Sequence, residues 1–349
     1  MDGVTVQPLQ SVQLELPARA LAFAPMVDGG YVVLCEGLQP ETVLLCRFAV
    51  PAPHAVAASR QPCGMVQLAG TADGARVLAH PRLMQAWVLC GEPSGGGASL
   101  YGIDGLTHAP RFRLALDTHP TALLRAGDRL IFVDPNDVLN VVDADGHDLW
   151  QHTAPAAITA LAEHPDGGVL YASADGEVVW LGRDGEAVAG QAIGAALRAV
   201  SVSDRGRIAG HDGERLWTWI GALAPEHVGR RIGPMAGAPS VDARDAIFVR
   251  HAEQGVWRIS PRARAALHWA EGLDCSAPRL DYSGATVVTA SAEGENALLA
   301  WPPSPAGQRR PGAATAFPLP SAPVGLGFDP YCVTVLCAGG ELVDRRLLI

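Results

Sequence analysis

Lysine is absent from this chain of 349 residues, so all 26 basic residues are arginines. A P-loop needs a lysine at the nucleotide phosphates, and Schiff-base chemistry needs a lysine amine. Both kinds of site are therefore excluded, as is a lysine that acts as a general base. No Gly-x-Ser-x-Gly nucleophile motif occurs either, and no cluster of residues in the sequence indicates catalysis.

Positive charge and long apolar runs are also scarce. The formal net charge is −10, whereas a general nucleic-acid-binding protein needs a basic face to displace counterions from phosphates. No run approaches the roughly 18 apolar residues that cross a bilayer. The first ten residues, MDGVTVQPLQ, have neither the basic nor the apolar part of a secretory signal. We therefore expect no nucleic-acid or membrane partner and a cytoplasmic location.

Paired cysteines are missing as well. The sequence contains seven cysteines, and none of them forms a Cys-x-x-Cys motif. The odd number, together with the apolar neighbours of Cys35 and Cys46, predicts buried thiols in a reducing compartment.

Glycine and proline are abundant instead, with 39 and 27 residues. Short stretches rich in Val, Ile, Leu and Trp separate them, which predicts many short strands. In the clearest unit, LAEHPDGGVLYASADGEVVWL at 161–181, a Pro-Asp-Gly turn precedes a strand at 169–173. A third strand follows the turn at Asp175 and carries Trp180. This order resembles a WD40-type blade, which implies an all-β propeller of four-stranded antiparallel blades. The resemblance places the family's hydrogen-bonded Asp and Trp at Asp175 and Trp180.

Weaker copies of this unit recur at intervals typical of propeller blades. Four tryptophans from Trp180 to Trp301 are 37, 40 and 44 residues apart. Extending the register predicts eight third strands, which favours eight blades. Seven blades remain an alternative if one copy in residues 17–116 is spurious. The predicted third strands contain Leu45, Tyr101, Val142, Trp180, Trp217, Trp257, Trp301 and Val343.

The two ends of the chain predict a closed ring. Residues 321–349 leave room for only three strands, whereas Val12, Leu14 and Leu16 alternate with polar residues as a half-buried strand does. We therefore expect a strand at about 10–16 to complete the last blade, so that residues 1–349 form a single β-propeller domain.

A second resemblance lies at residues 141–150, VVDADGHDLW, which is similar to a quinoprotein-type blade in its order of Asp, Gly and Trp. It occurs cleanly only once, so we interpret it as part of a blade and expect no quinone or other cofactor. Trp150 is expected, like the other regularly spaced tryptophans, on a third strand that packs between blades.

Histidines could supply a metal site, because propeller blades can each direct one ligand into a central channel. His164, His211 and His251 are the best candidates, since they lie in or near predicted turns. No His-x-His or His-Glu-x-x-His spacing concentrates ligands, so a role within the turns is favoured and no metal is expected.

Residues that depart from the repeat are candidates for contact with a protein partner. Trp219 and Trp269 fall outside the third-strand register, and tryptophan is favoured at interface hot spots. Residues 302–320 are rich in proline, which bars central-strand pairing, and we interpret them either as a docking loop with Phe317 as its anchor or as a solvated, mobile connection. The candidate binding residues are Trp219, Trp269, Arg309, Arg310 and Phe317.

These features favour a non-enzymatic protein–protein interaction scaffold or recognition module, with a bacterial multi-protein assembly as one setting. The alternative is a propeller enzyme or small-ligand binder, such as a lactonase-like hydrolase with a metal in the central channel. A quinoprotein ranks last, because it needs an oxidising export route that the N-terminus does not indicate.

Overall fold

Strands and turns make up the whole of the described structure. The structure, a computed structural model, describes residues 10–49, 59–221, 230–242, 245–253, 255–259, 266–270, 274–275, 279–280, 286–292, 295–301, 315–329 and 332–346. These residues form 34 strands, β1 to β34 in chain order. Over these ranges, no helix has the length and apolar character that crossing a bilayer requires. The predicted all-β class is confirmed.

The strands form eight sheets, and within each the neighbouring strands are antiparallel with one exception given below. Sheet 1 contains β2 (Ala20–Pro25), β3 (Tyr31–Glu36), β4 (Thr42–Phe48) and β6 (Gly64–Ala69). Sheet 2 contains β7 (Thr71–Ala79), β8 (Gln85–Gly91), β9 (Ala98–Asp104) and β10 (Pro110–Leu116). Sheet 3 contains β11 (Ala122–Ala126), β12 (Arg129–Val133), β13 (Val138–Val142) and β14 (Asp148–Thr153). Sheet 4 contains β15 (Ile158–Glu163), β16 (Val169–Ser173), β17 (Glu177–Leu181) and β18 (Ala187–Ala192).

The same order continues in the second half of the chain. Sheet 5 contains β19 (Ala199–Val202), β20 (Arg207–His211), β21 (Arg215–Ile220) and β22 (Arg230–Arg231). Sheet 6 contains β23 (Met235–Val241), β24 (Ile247–His251), β25 (Gly255–Ile259) and β26 (Ala266–Ala270). Sheet 7 contains β27 (Asp274–Cys275), β28 (Arg279–Leu280), β29 (Thr286–Ala292), β30 (Glu295–Trp301) and β31 (Thr315–Leu319). Sheet 8 contains β32 (Pro323–Asp329), β33 (Cys332–Cys337), β34 (Glu341–Arg346), β1 (Gln10–Leu14) and β5 (Ser59–Arg60).

Sheet 8 combines residues from both ends of the described chain. β1 pairs antiparallel with β34, with Ser11 opposite Val343 and Val12 opposite Leu342. The amide of Leu14 continues this pairing by donating to the carbonyl of Gly340 at 2.9 Å. The exception to antiparallel pairing is β5, which runs parallel to β1 on its other side. β1 is therefore paired along both of its edges.

The predicted third strands are all present. Each of the eight residues chosen from the repeat, from Leu45 to Val343, lies on the third strand of its own sheet. The prediction for Trp150 is wrong, because this residue lies on β14, the fourth strand of sheet 3. Its indole NH donates to the carbonyl of Arg183 in sheet 4 at 2.9 Å, so Trp150 does pack between sheets, but at the rim.

Burial falls from the middle of each sheet to its outer edge. All seven residues of β8 and all five of β16 are buried, whereas β14 and β18 alternate between exposed and half-buried residues. A second strand packs on both faces against neighbouring sheets, so its residues need not alternate between apolar and polar. A fourth strand forms the rim and keeps one face in solvent.

Hydrophobic clusters fill the space between neighbouring sheets. Val32 of sheet 1 and Val88 of sheet 2 belong to one cluster, and Val33 of sheet 1 shares another with Leu336 and Leu342 of sheet 8. The first strands also contact each other, β2 meeting both β7 and β32. Sheet 1 therefore packs between sheet 2 and sheet 8, which brings the two ends of the repeat together.

The turns divide between two ends of the sheets, because antiparallel strands reverse direction at each turn. We call the turns between first and second strands the inner turns and those between third and fourth strands the outer turns. Both kinds lie at one end, here named the front end. The turns between second and third strands lie at the opposite, back end.

Glycines in two outer turns allow close packing between sheets. Gly146 and Gly185 have φ angles of 82° and 86°, which glycine adopts without a Cβ clash. Each lies against an aromatic ring of the preceding sheet. A Cβ would meet Phe112 at 2.6 Å from Gly146 and Trp150 at 2.7 Å from Gly185. The Asp-Gly pairs at 145–146 and 184–185 thus mark places where an outer turn contacts the rim of the preceding sheet.

Candidate functional site

A cleft of about 380 Å³ opens at the front end, between turns of sheets 2, 3 and 4. Its wall is built from the inner turn after β7, the inner turn before β12, and the outer turns after β13 and β17. This volume lies within the range of ligand pockets, about 300–1,000 Å³. The cleft is therefore large enough to take a small ligand or a short peptide segment.

The cleft arises because an inner turn of one sheet bonds to the outer turn of the next. The side-chain amide of Gln85 in sheet 2 donates to the carbonyl of Ala144 in sheet 3. Arg183 in sheet 4 donates to both carboxylate oxygens of Asp128 in sheet 3, at 2.8 and 3.0 Å. Residues far apart in sequence are thereby held around one opening.

His80 forms the buried base of the turn that carries Arg82 and Leu83. Its Nδ1 accepts hydrogen bonds from the amides of Arg82 at 3.1 Å and Leu83 at 3.0 Å. Burial lowers the pKa of His80, although the charge of Asp128 and a backbone hydrogen bond with it act in the opposite direction. The neutral ring, with Nδ1 free to accept, is the form that holds this turn in place.

Carboxylates in the cleft already have partners. Asp128 is engaged by Arg183, and Asp145 accepts a hydrogen bond from Arg111 at 2.6 Å. Asp143 accepts hydrogen bonds from two backbone amides of its own outer turn, including that of Asp145 at 2.8 Å. Burial alone would raise the pKa of Asp143. The hydrogen bonds from these amides outweigh that effect, so the pKa is lowered and the carboxyl group remains ionised.

Apolar side chains are concentrated at the front end. Of the seven large hydrophobic residues that are exposed in the described structure, six lie in front-end turns or among the first two residues of fourth strands. Only Leu38 lies at the back end. Scattered exposed hydrophobics are normal, so their concentration at one end makes the front end the candidate contact surface. The six front-end residues are Val27, Met65, Leu83, Leu106, Leu149 and Val188.

Four of these residues lie on neighbouring front-end turns and strand starts, and we name them the apolar strip: Val27, Leu106, Leu83 and Leu149. The amide of Gly105, next to Leu106, donates to the carbonyl of Met84, next to Leu83, at 2.6 Å. Gly105 also faces Met26, next to Val27. Leu83 and Leu149 both line the cleft. The apolar strip therefore runs across the front of sheets 1 and 2 and ends in the cleft.

Sequence reasoning missed the cleft. The signal that was present is an apolar residue, Leu83, two positions after Pro81 in the segment His80-Pro81-Arg82-Leu83. No spacing rule could connect this turn with Asp128 or Arg183, because they belong to three different repeats.

The histidines considered as metal ligands instead bind their own turns. Nδ1 of His211 accepts from the amide of Gly213 at 3.2 Å, and Nδ1 of His251 from that of Glu253, also at 3.2 Å. Nδ1 of His164 lies 2.7 Å from Oδ1 of Asp166. In the part of the chain that the structure describes, no three His, Cys, Asp or Glu residues are grouped as a metal site would require.

The WD40-type hydrogen-bond network is present only in part. The hydroxyl of Ser173 donates to the carboxylate of Asp175, which matches the family's pattern at this position. The ring of Trp180 stacks instead on His164, with centroids 3.9 Å apart. The indole nitrogen of Trp180 has no hydrogen-bond partner among the described residues.

The proposed surface positions of two partner-binding candidates are wrong. Trp219 is only 1% exposed, because it lies two residues from Trp217 and so points to the same strand face, against sheet 4. Phe317 is 8% exposed on β31 and packs with Leu298 and Val333 between sheets 7 and 8. Trp269 lies on β26, but its side chain is outside the described part of the structure. Arg309 and Arg310 lie outside the described residues.

The cysteines agree with the prediction of buried thiols at four of the five positions whose side chains the structure describes. Cys35, Cys46, Cys90 and Cys337 are buried, and Cys63 is exposed. Burial raises the pKa of Cys90 and of Cys337 to about 11. These two thiols therefore remain protonated and unreactive at neutral pH.

Comparisons with known proteins identify the fold. No protein-family model matches the chain, and no curated protein sequence matches it. The structure is similar to BamB from Moraxella catarrhalis, with a TM-score of 0.66, 15% identity, and coverage of 98% of this chain and 100% of that one. It is also similar to a chain of the mitotic checkpoint complex, with a TM-score of 0.52, 12% identity, and coverage of 100% and 98%.

A third similar structure is BBS1N in complex with ARL6DN, with a TM-score of 0.53, 11% identity, and coverage of 76% of this chain and 88% of that one. At these identities the likeness establishes the fold alone. Together with the repeated antiparallel sheets, it identifies the fold as a β-propeller.

Proposed function

We propose that this protein is a non-enzymatic protein-interaction scaffold and that its partner docks on the front end of sheets 1 to 3. The observation that carries the proposal is the apolar strip. Leu106 is 70% exposed and Val27 49%, although both belong to tightly bonded turns of a rigid sheet framework. Exposed apolar side chains on turns of a rigid scaffold are typical of interaction surfaces.

The similar structures are consistent with this role. Two of them are parts of protein complexes by their descriptions, the mitotic checkpoint complex and BBS1N bound to ARL6DN. The finer proposal is that the partner is a different protein of a bacterial multi-protein assembly. A second copy of this chain is an alternative occupant, which the experiment below distinguishes.

Site-specific photo-crosslinking in the native host tests the proposal. A photoreactive amino acid replaces Leu106 at the front end or Leu38, which is 62% exposed at the back end and serves as the control. We expect a discrete crosslinked product from position 106 and none from position 38. The product should disappear when Leu83→Glu is added, because a charge in the middle of the apolar strip must be desolvated on docking.

Three outcomes would contradict the proposal: equal products from both positions, no product from either, or a product whose mass is that of two copies of this chain.

A further inference from the structure

The outer strand of sheet 4, β18, has one edge whose backbone groups are unpaired in the described structure. The amide of Ile193, just after this strand, donates to the carbonyl of Gly176 at 2.8 Å, and the ladder with β17 is regular from Ala192 to Ala189. In an antiparallel ladder, alternate residues bond to the same neighbouring strand. The N–H and C=O groups of Gly190 and Ala192 therefore point away from β17, and both residues are exposed.

Other outer strands carry features that hinder pairing at their free edges. β5 covers the edge of β1, and the carbonyl of Ala69 in β6 accepts a hydrogen bond from the hydroxyl of Tyr101 at 2.8 Å. Prolines and ionisable side chains, which protect an edge strand, occur in the rest: Pro110 and Arg113 in β10, Asp148 in β14, Arg230 and Arg231 in β22, His268 in β26 and Pro318 in β31. β18, with the sequence AVAGQA, has none of these features.

Sheet 8 shows that an outer strand of this fold can take a further strand. β1 is the outer strand of that sheet, as β18 is of sheet 4. β5 pairs with the free edge of β1, with Gln13 opposite Ser59 and Leu14 opposite Arg60. An unpaired edge is a template for a strand from another chain as well. β18 therefore offers to a second molecule the kind of edge that β1 offers to β5.

The edge of β18 is complementary to itself. When two copies lie antiparallel with Gln191 opposite its own counterpart, Gly190 of each copy faces Ala192 of the other. The backbone groups of both residues point outward, so each pair can exchange two N–H···O bonds. The two Gln191 amides can donate to and accept from each other, and no charges of β18 oppose the pairing because this strand has none. A register centred on Gly190 would need Val188, where the ladder with β17 has a bulge.

We propose that two copies of this chain associate through β18, so that their two copies of sheet 4 join into one continuous sheet across a two-fold axis. A strand held on β17 is already extended, so it loses less conformational entropy on pairing than a flexible segment of another protein would. β18 lies in sheet 4, whereas the apolar strip lies on sheets 1 to 3. The dimer therefore uses a different surface from the one proposed for the protein partner.

Sedimentation velocity of the full-length protein over a range of concentrations tests the proposal. Gly190→Pro removes an outward N–H and no bond to β17, and a Cβ at this position has nothing within 4 Å, so the strand should tolerate it. We expect a dimer in the parent protein and a dimer Kd about 10- to 100-fold higher in Gly190→Pro, because each copy loses one donor. Gln151→Pro is the matched control, since Gln151 points outward from β14 by the same alternation. It should leave the Kd unchanged.

Charge exchange at Gln191 tests the two-fold register without altering the backbone. Gln191→Lys and Gln191→Glu should each raise the dimer Kd about fivefold, because like charges then face each other across the axis. An equimolar mixture of the two variants should regain the Kd of the parent protein, since opposite charges then meet. A parent protein that stays monomeric at every concentration, a Kd unaffected by Gly190→Pro, or a mixture that associates no better than either variant alone would each overturn the proposal.

Discussion

The Nδ1 atom of His80 accepts a hydrogen bond from the backbone amide of Arg82 at 3.1 Å, so a buried ring fixes the backbone of an exposed arginine. This acceptor exists only while the imidazole is neutral. Protonation would place an N–H opposite two backbone N–H groups and release the turn.

Acid should therefore destabilise the protein before its carboxylates titrate. Burial lowers the pKa of His80, His152 and His211 from the ordinary value of 6.5. Below pH 6.5 the unfolded chain binds these protons more readily than the folded one, so the stability present above that pH is lost as the pH falls toward the folded values. We expect the urea midpoint to be lower at pH 5.5 than at pH 7.5. Equal midpoints would show that the three rings are not held neutral.

Removing β1 should destabilise the protein. Leu14 is 1% exposed in the cluster between sheets 8 and 1, whereas Ser11 on the same strand is exposed. Leu14→Ala should lower the free energy of unfolding by about 2–5 kcal/mol, and Ser11→Ala should change it by less than about 0.5 kcal/mol. Deletion of residues 1–16 should lower the melting temperature strongly, because it also exposes the edge of β34. An unchanged melting temperature would refute a structural role for this strand.

Gly185 should tolerate a side chain less well than Gly194. Both have left-handed backbones, with φ angles of 86° and 73°, so alanine costs about 1–2 kcal/mol at either site. Only at Gly185 would the new Cβ collide with Trp150, since nothing lies within 4 Å at Gly194. Overpacking should add about 1–3 kcal/mol to the loss for Gly185→Ala. Similar losses for the two variants in chemical unfolding would contradict the packing described for the outer turn.

Trp219 should matter for stability and not for partner binding. Trp219→Ala is expected to lower the free energy of unfolding by about 3–5 kcal/mol, because it leaves a cavity between sheets 4 and 5. The milder Trp219→Phe should fold and give the same crosslinked product from position 106 as the parent protein. Loss of that product in a folded Trp219→Phe variant would restore the view that this tryptophan contacts the partner.

The repeat could be predicted from the sequence, whereas the front-end cleft could not. Trp180 and Trp257 mark third strands because a large side chain is accommodated between neighbouring sheets at the same point of each repeat. Phe317 was misplaced because Pro318 and Pro320 suggested a loop, yet β31 is an outer strand, where proline is tolerated. The cleft could not be predicted, because Arg82, Asp128 and Arg183 meet only after three sheets have packed.

The side-chain amide of Gln13 in β1 donates a hydrogen bond to the carbonyl of Gly339, just before β34. The two residues lie 326 positions apart in the chain. A ribosome adds about 5–20 residues per second, so the first strand waits for roughly half a minute before its partner exists. Through that interval β1 and its apolar residues must be kept from pairing with the wrong edge. Of the strand pairs described, β1 and β34 are the farthest apart in sequence, so β1 is the strand that stays longest without its partner during synthesis.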